Sequence, residues 1–193
     1  MENKGLPDLL RYSSLDALGV TRYRLSALVQ GGEYEQIAPG VFVRSRAIDD
    51  TTAAWIAINA RRPDATLCLL SALAIHDLTD EIPAASDMAL PRGAHKLAVQ
   101  HAPIAWHFFD RETFEIGRTT HQLSNDLEIG IYGPERTIID VFRLQHIWGF
   151  DLAAEALKRW LRHPGNSPGT LTDMANSFPA ARRSLRFALE VLL

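Results

Sequence analysis

The chain has 193 residues, 47% of them hydrophobic and 22% charged, with a formal net charge of -3. This composition is ordinary for a globular protein, and no apolar run approaches the roughly 20 residues that a membrane-spanning helix needs. The first residues lack the apolar segment of a secretory signal, so we expect a soluble, cytoplasmic protein. Cys68 is the single cysteine, which excludes an internal disulfide, and its apolar neighbours predict a buried, unreactive thiol.

Charge is unevenly distributed along the chain. Residues 11–46 carry five arginines against three acidic residues, and residues 47–157 carry twice as many acidic as basic residues. Residues 158–193 carry six basic residues against two acidic ones. A basic beginning, an acidic middle and a basic end indicate separate surfaces for separate partners, with ordinary solvated faces as the alternative.

The first predicted elements are two short helices joined by a tight turn. Ser14, or the serine before it, caps a helix over residues 15–18, which ends at Gly19 because glycine tolerates the left-handed conformation. Thr21 then caps a second helix over residues 22–30. Two helices joined in this way predict a helix-turn-helix.

The second helix has one apolar and one polar face. At 3.6 residues per turn, Leu25, Leu28 and Val29 share a stripe, whereas small, aromatic and polar side chains face away. Such an outward face suits a recognition helix in the major groove of DNA, with arginines on the phosphates and polar side chains on base edges. The candidate DNA-binding residues of this segment are Thr21, Arg22, Tyr23, Arg24, Ser26 and Gln30.

A hairpin is predicted next, with strands over residues 33–37 and 41–46 around a turn that contains Pro39 and Gly40. Directly after a helix-turn-helix, such a hairpin is typical of a wing. Arg44 and Arg46 alternate along its second strand, so both are predicted to hold the phosphate backbone. An exposed hairpin with solvated arginines is the alternative.

The string LGVTRYRLSALV over residues 18–29, followed by Gly-Gly, a strand and APGVF over residues 38–42, resembles the N-terminal domain of the AbiEi family. This family comprises the antitoxins and transcriptional regulators of type IV toxin–antitoxin systems. Only twelve residues precede Ser13, so the first helix is predicted to be shorter than in family members. The resemblance implies a winged helix-turn-helix over residues 6–47 that binds double-stranded DNA at the chain's own promoter and represses its operon.

Residues 48–193 alternate between predicted helices and strands. A helix is expected over residues 51–60, a buried strand over residues 65–70 and a helix over residues 71–77. Pro134 opens a long helix to residue 148, and three further helices close the chain. The remaining predicted strands are 86–91, 104–109, 115–123 and 127–132. The prediction is therefore an α+β chain, with a small winged helix-turn-helix followed by an α/β-type domain that has a mixed sheet and C-terminal helices.

One segment of this second domain is dense in polar residues. Arg136 and Asp140 are four residues apart and are predicted to pair on a helix surface. The Glu-Arg-Thr-x-x-Asp segment that begins at Glu135, together with Ser71 and His76 after an apolar strand, resembles the C-terminal domain of the AbiEi family. The resemblance implies that the protein counteracts a nucleotidyltransferase-like toxin.

Enzymatic signatures are weak in this sequence. The histidines of the second domain lack the tight spacing of metal ligands, so no metal and no cofactor is predicted. Asp126 and Glu128 are arranged like a nuclease carboxylate pair, but the expected lysine does not follow. Motifs for serine hydrolysis and phosphate binding are missing, so we expect no enzyme. A nuclease-like domain delivered by the N-terminal part and a protein–protein adaptor are the alternatives. The histidines that were considered as metal ligands are His76, His101, His107 and His121.

The last predicted helix has an apolar stripe and a basic face formed by Arg182, Arg183 and Arg186. Three interpretations of the basic face are open. It could contact phosphates beside the wing, bind an acidic partner, or be an ordinary solvated surface.

Overall fold

The computed structural model describes residues 5–124 and 127–193, and in these residues the chain forms two β-sheets and eight α-helices. The sheets differ in size and in strand direction. The first is a three-stranded antiparallel sheet near the N-terminus, and the second is a five-stranded mixed sheet. This α+β architecture with C-terminal helices confirms the fold class expected from the sequence.

We call residues 6–47 the head. Its sheet has the strand order β1-β3-β2, and helix α1 (Arg22–Gln30) packs against it. The strand bounds are Leu9–Arg11 for β1, Tyr34–Ala38 for β2 and Val41–Arg44 for β3. Apolar side chains from the sheet, α1 and the preceding turn form the core of the head. Its fully enclosed members are Leu10, Leu15, Val20, Leu25, Leu28, Tyr34 and Phe42.

The predicted first helix over residues 15–18 is wrong. A 3-10 helix at Tyr12–Ser14 follows β1, and hydrogen-bonded turns lead from it to Gly19, whose φ is +64°. The Ser14 hydroxyl bonds to the backbone of Arg11, at the start of the 3-10 helix, and does not cap the predicted helix that would follow it. Only four residues lie between the 3-10 helix and Gly19, about one helical turn, and turn hydrogen bonds such as Val20 N–H to the Leu15 carbonyl at 2.9 Å close this segment. The head therefore has one α-helix where two were predicted.

We call residues 48–193 the body. Its sheet has the strand order β6-β5-β4-β8-β7, with β4 parallel to β8 and antiparallel to β5. Three predicted strands match the structure to the residue, whereas β4 is shorter than predicted because α3 begins at Leu69. The strand bounds are Thr66–Leu67 (β4), Ser86–Pro91 (β5), Ile104–Phe109 (β6), Arg118–Ser124 (β7) and Leu127–Tyr132 (β8).

Helices cover both faces of the five-stranded sheet. Helix α2 packs on one face through Ile58, and the helices from α3 onwards build the larger core on the other face. Cys68 lies in that larger core, fully buried, and burial raises the pKa of its thiol, as expected for an unreactive cysteine. The helix bounds are Asp50–Arg61 (α2), Leu69–Ile75 (α3), Pro134–Arg143 (α4), Gln145–Trp148 (α5), Phe150–Arg162 (α6), Pro168–Ala175 (α7) and Pro179–Leu192 (α8).

Helix α2 also joins the body to the head. Ile56 and Ala57 on α2 contact side chains of the hairpin formed by β2 and β3, and Leu127 at the start of β8 completes the cluster. We call this cluster the junction. The hairpin residues in it are Ile37, Ala38, Val41 and Val43. The two parts thus share a continuous apolar contact.

The predicted surface pair of Arg136 and Asp140 is wrong in its location. Both side chains are fully buried, and Nε of Arg136 donates to a carboxylate oxygen of Asp140 at 3.0 Å. Arg143 donates to the other oxygen of the same carboxylate at 2.9 Å. The guanidinium of Arg136 lies 4.2 Å from the Tyr132 ring centroid and 4.3 Å from that of Phe178. The four-residue spacing predicts that Arg136 and Asp140 pair, but it does not predict whether the side of the helix that carries them is buried by the rest of the protein.

Candidate nucleic-acid interface

Helix α1 presents its polar face to solvent, as the sequence predicts. Leu25 and Leu28 are buried and Val29 is partly buried, whereas the predicted contact residues are all exposed. Tyr23 is the most prominent of them, with 86% of its surface exposed. The exposed residues of this face are Thr21, Arg22, Tyr23, Arg24, Ser26, Ala27 and Gln30. Small side chains at Ser26 and Ala27 would allow the helix backbone to approach a groove closely.

Local hydrogen bonds set where α1 begins and ends. The Thr21 hydroxyl accepts from the backbone N–H of Arg24 at 3.1 Å, which confirms the predicted N-cap. The helix ends at Gly31 and Gly32, and Gly32 adopts a φ of +74°, a conformation that glycine tolerates best. The helix is therefore nine residues long, about two and a half turns.

Tyr12 supports the N-terminal end of α1, a role that the sequence did not suggest. The guanidinium of Arg22 lies over the Tyr12 ring at 5.4 Å from the centroid, and the ring itself packs against Phe42. Tyr12 stays about half exposed. This stacking holds Arg22 beside the helix N-terminus, where a phosphate oxygen would meet both the guanidinium and the backbone N–H groups.

Arg44 has intramolecular partners that the sequence did not reveal. Its Nε donates to the Asp8 carboxylate at 2.8 Å, and one terminal nitrogen donates to the carbonyl of Leu6 at 2.7 Å. The guanidinium also lies 5.0 Å from the Tyr34 ring centroid. The hydrogen bond with Asp8 raises the pKa of Arg44. Arg44 therefore ties the N-terminal segment to β3, and a phosphate contact would compete with these bonds.

Arg46 does not lie on the strand with Arg44 as predicted, because β3 ends at Arg44. Arg46 is exposed in the following turn, with a φ of +64°. Hydrogen bonds from Ser45 to the carbonyls of Gly32 and Glu33 place this turn beside the C-terminal end of α1. Exposed cations thus lie near both ends of the helix.

The predicted wing is a hairpin whose turn faces the body. A cleft of about 270 Å³ separates Pro39 at the turn from Ala57 and Arg61 of α2. The carbonyl of Gly40 at this turn accepts from the backbone N–H of Tyr12 at 3.0 Å, and the Tyr12 ring lies under Arg22. At the other end of the hairpin, Ser45 bonds to Gly32, just after α1, and Arg46 follows it. Both ends of the hairpin are therefore connected to α1 or to the residues beside it.

The basic face of α8 is remote from the head. Arg182, Arg183 and Arg186 are exposed, as expected, but α8 packs on the sheet face opposite to α2, which is the helix that contacts the head. The sheet therefore lies between the two basic surfaces. This placement favours a separate surface over phosphate contacts beside the hairpin.

Several polar side chains of the body form small hydrogen-bonded groups. His107 bonds through Nε2 to the buried Asp87 carboxylate at 2.8 Å, and Ser71 bonds to the same aspartate. His76 donates to the carbonyl of Tyr132 at 2.8 Å. Within residues 5–124 and 127–193, no three His, Cys, Asp or Glu side chains are grouped so that they could hold a metal ion. Asp126 lies outside the described residues, so the nuclease-like pair with the exposed Glu128 has no described geometry.

Comparisons with known proteins support the architecture. No family model matches the chain, and no curated protein matches it. A crystal structure of the RV2827C protein from Mycobacterium tuberculosis matches with a TM-score of 0.63 at 15% identity, covering 97% of this chain and 73% of that chain. At this identity the likeness concerns the fold, and it extends over head and body together.

Among the described residues, no helix is long and apolar enough to cross a membrane.

Proposed function

We propose that this protein is a DNA-binding transcriptional regulator that contacts double-stranded DNA through the exposed face of α1. The observation that carries the proposal is the exposed face of α1, where Arg22, Tyr23 and Gln30 surround small side chains. The apolar stripe on the other side of the helix packs against the core of the head. Arg22, Arg24 and Arg46 supply phosphate contacts, and Tyr23, Ser26 and Gln30 reach base edges.

The resemblance to the AbiEi family extends this proposal to a biological role. The chain binds its own promoter, represses its operon and, as a cytoplasmic type IV antitoxin, counteracts a nucleotidyltransferase-like toxin. In this role the head (residues 6–47) is the DNA-binding domain, and the body (residues 48–193) is the antitoxin domain. In this role the protein acts by binding its partners and not by catalysis.

Fluorescence anisotropy with a labelled fragment of the chain's own upstream region tests DNA binding at several salt concentrations. We expect specific binding that Arg22→Ala/Arg24→Ala abolishes or weakens strongly, with a log-log salt slope reduced by about one unit for each lost phosphate contact. Arg182→Ala/Arg183→Ala is the matched control, because it removes the same charge from α8. Equal affinity for the upstream and scrambled fragments would contradict the proposal.

Base reading is tested separately from phosphate binding. Gln30→Ala should leave binding to scrambled DNA unchanged but reduce the preference for the upstream fragment by about fivefold or more, since a good base contact contributes about 1–3 kcal/mol.

The antitoxin role is tested by expressing the chain together with a toxin whose gene is adjacent to its own, and by measuring growth. Failure to restore growth would contradict that role alone.

A further inference from the structure

A cleft of about 390 Å³ lies where the head meets the body, and the proposed DNA contact does not use it. Its walls are mostly apolar and come from both parts of the molecule. The apolar side chains that define it are Leu9, Leu18 and Val43 from the head and Ile48, Ile56 and Leu123 from the body. Clefts of this size that are lined by apolar groups at such boundaries are typical small-molecule sites.

Asp8 is the one charged residue among the described residues that line the cleft. The Asp8 side chain is 63% exposed and accepts one hydrogen bond, from Nε of Arg44 at 2.8 Å. Ser14, the other polar residue, already bonds to the Arg11 backbone in both directions. A ligand would thus meet apolar walls and one anionic acceptor.

From this arrangement we infer that the cleft binds a small apolar molecule with a protonated amine at one end. The apolar part is removed from water between the head and the body, and the ammonium donates to the Asp8 carboxylate. The pair of Asp8 with Arg44 is exposed and weak, so it does not prevent the carboxylate from accepting a second donor. A ligand of the same shape with a carboxylate would be repelled by Asp8.

Two residues that line the cleft connect it to the segment before the DNA-contacting helix and to the junction. Leu18 lines the cleft and directly precedes Gly19, the turn that leads to the Thr21 cap of α1. Ile56 lines the cleft and also belongs to the junction. A bound amine therefore alters the turn that precedes α1 and the junction between the head and the body. This consequence rests on the proposed function, whereas binding of the amine does not.

The test uses 2-phenylethylamine and phenylacetate, which are similar in size and opposite in charge, titrated into the full chain and followed by calorimetry. We expect the amine to bind about tenfold more tightly than the acid. Asp8→Asn should remove most of this preference. Ala17→Trp, at an exposed position of the cleft wall, should block the cleft and abolish binding. Ala47→Trp is the control, because Ala47 is exposed nearby but does not line the cleft.

Equal binding of the two probes, no saturable binding of the amine, or full binding to Ala17→Trp would each overturn the site. DNA binding is then measured with and without the amine. A change in affinity that Ala17→Trp removes supports the coupling, and an unchanged affinity overturns the coupling while the site stands. Binding of the amine by a protein that shows no preference for its upstream DNA would overturn the proposed function alone.

Discussion

Arg22 and Arg24 of the head are exposed on α1, whereas Arg136 of the body is completely enclosed by protein. Arg136 bonds to Asp140 and to the carbonyls of Thr113 and Ile116, and its guanidinium lies between two aromatic rings. The same side chain therefore serves two purposes. On α1 it offers charge to a partner, and in α4 it satisfies polar groups inside the core.

This comparison shows that the contribution of an arginine depends on its surroundings. An exposed cation adds little to stability, because water solvates it well in both the folded and unfolded states. A buried cation has lost its water and depends on every partner around it, so removal of one partner is costly. Substitutions in the two regions should therefore separate stability from binding.

The largest effect is expected at the buried pair. Arg136→Met should lower the free energy of unfolding by about 3–5 kcal/mol, because it leaves the Asp140 carboxylate buried with one of its two cations. Urea denaturation measures the change. Arg183→Met on the exposed face of α8 is the matched control and should change the same quantity by less than about 0.5 kcal/mol. Similar losses in both variants would show that burial does not distinguish them.

An intermediate effect is expected at the cap of α1. Thr21→Ala removes the acceptor of the Arg24 N–H and should lower helix stability by about 1 kcal/mol. Amide hydrogen exchange should then accelerate about fivefold in the first turn of α1 and stay unchanged in α4. Thr21→Ser keeps the hydroxyl and should restore slow exchange. If exchange in α4 accelerates equally, the head and body open as one unit.

The smallest effect concerns the pH dependence of stability. Burial lowers the pKa of His76. The imidazole therefore takes up a proton at a lower pH in the folded protein than in the unfolded chain, where it does so near pH 6.5. Between these two pKa values the unfolded state binds more protons, and the free energy of unfolding falls as the pH falls below about 6.5. His76→Gln should lessen this fall, as measured by denaturation at pH 7.5 and pH 5.5. An identical fall in both proteins would assign the pH dependence to other groups.

Much of the fold follows from local pattern. Strands β5, β6 and β8 agree with prediction to the residue, because their alternating or continuous apolar runs end at clear turn signals. Strand β1 was missed, since three residues are too few to show alternation and their pairing with β3 is a long-range contact. The helix predicted up to residue 148 is interrupted at Leu144, between α4 and α5.

The candidate interface was predictable to a similar degree. The exposed face of α1 follows from a 3.6-residue period within nine residues, and all six positions predicted there are exposed. Arg44 could not be assigned in this way, because its partner Asp8 lies 36 positions away in the chain. The contribution of Tyr12 to holding Arg22 was hidden for the same reason.

The sequence by itself determined the α+β class, the faces of the amphipathic helices and the cap of α1, because these depend on neighbours within a few positions of one another. The tertiary structure alone decided that Arg44 bonds to Asp8, that Arg136 and Asp140 are buried, and that a cleft lies between head and body. These features depend on which distant surfaces pack together. Packing removes water from side chains that, in the sequence, look identical to exposed ones.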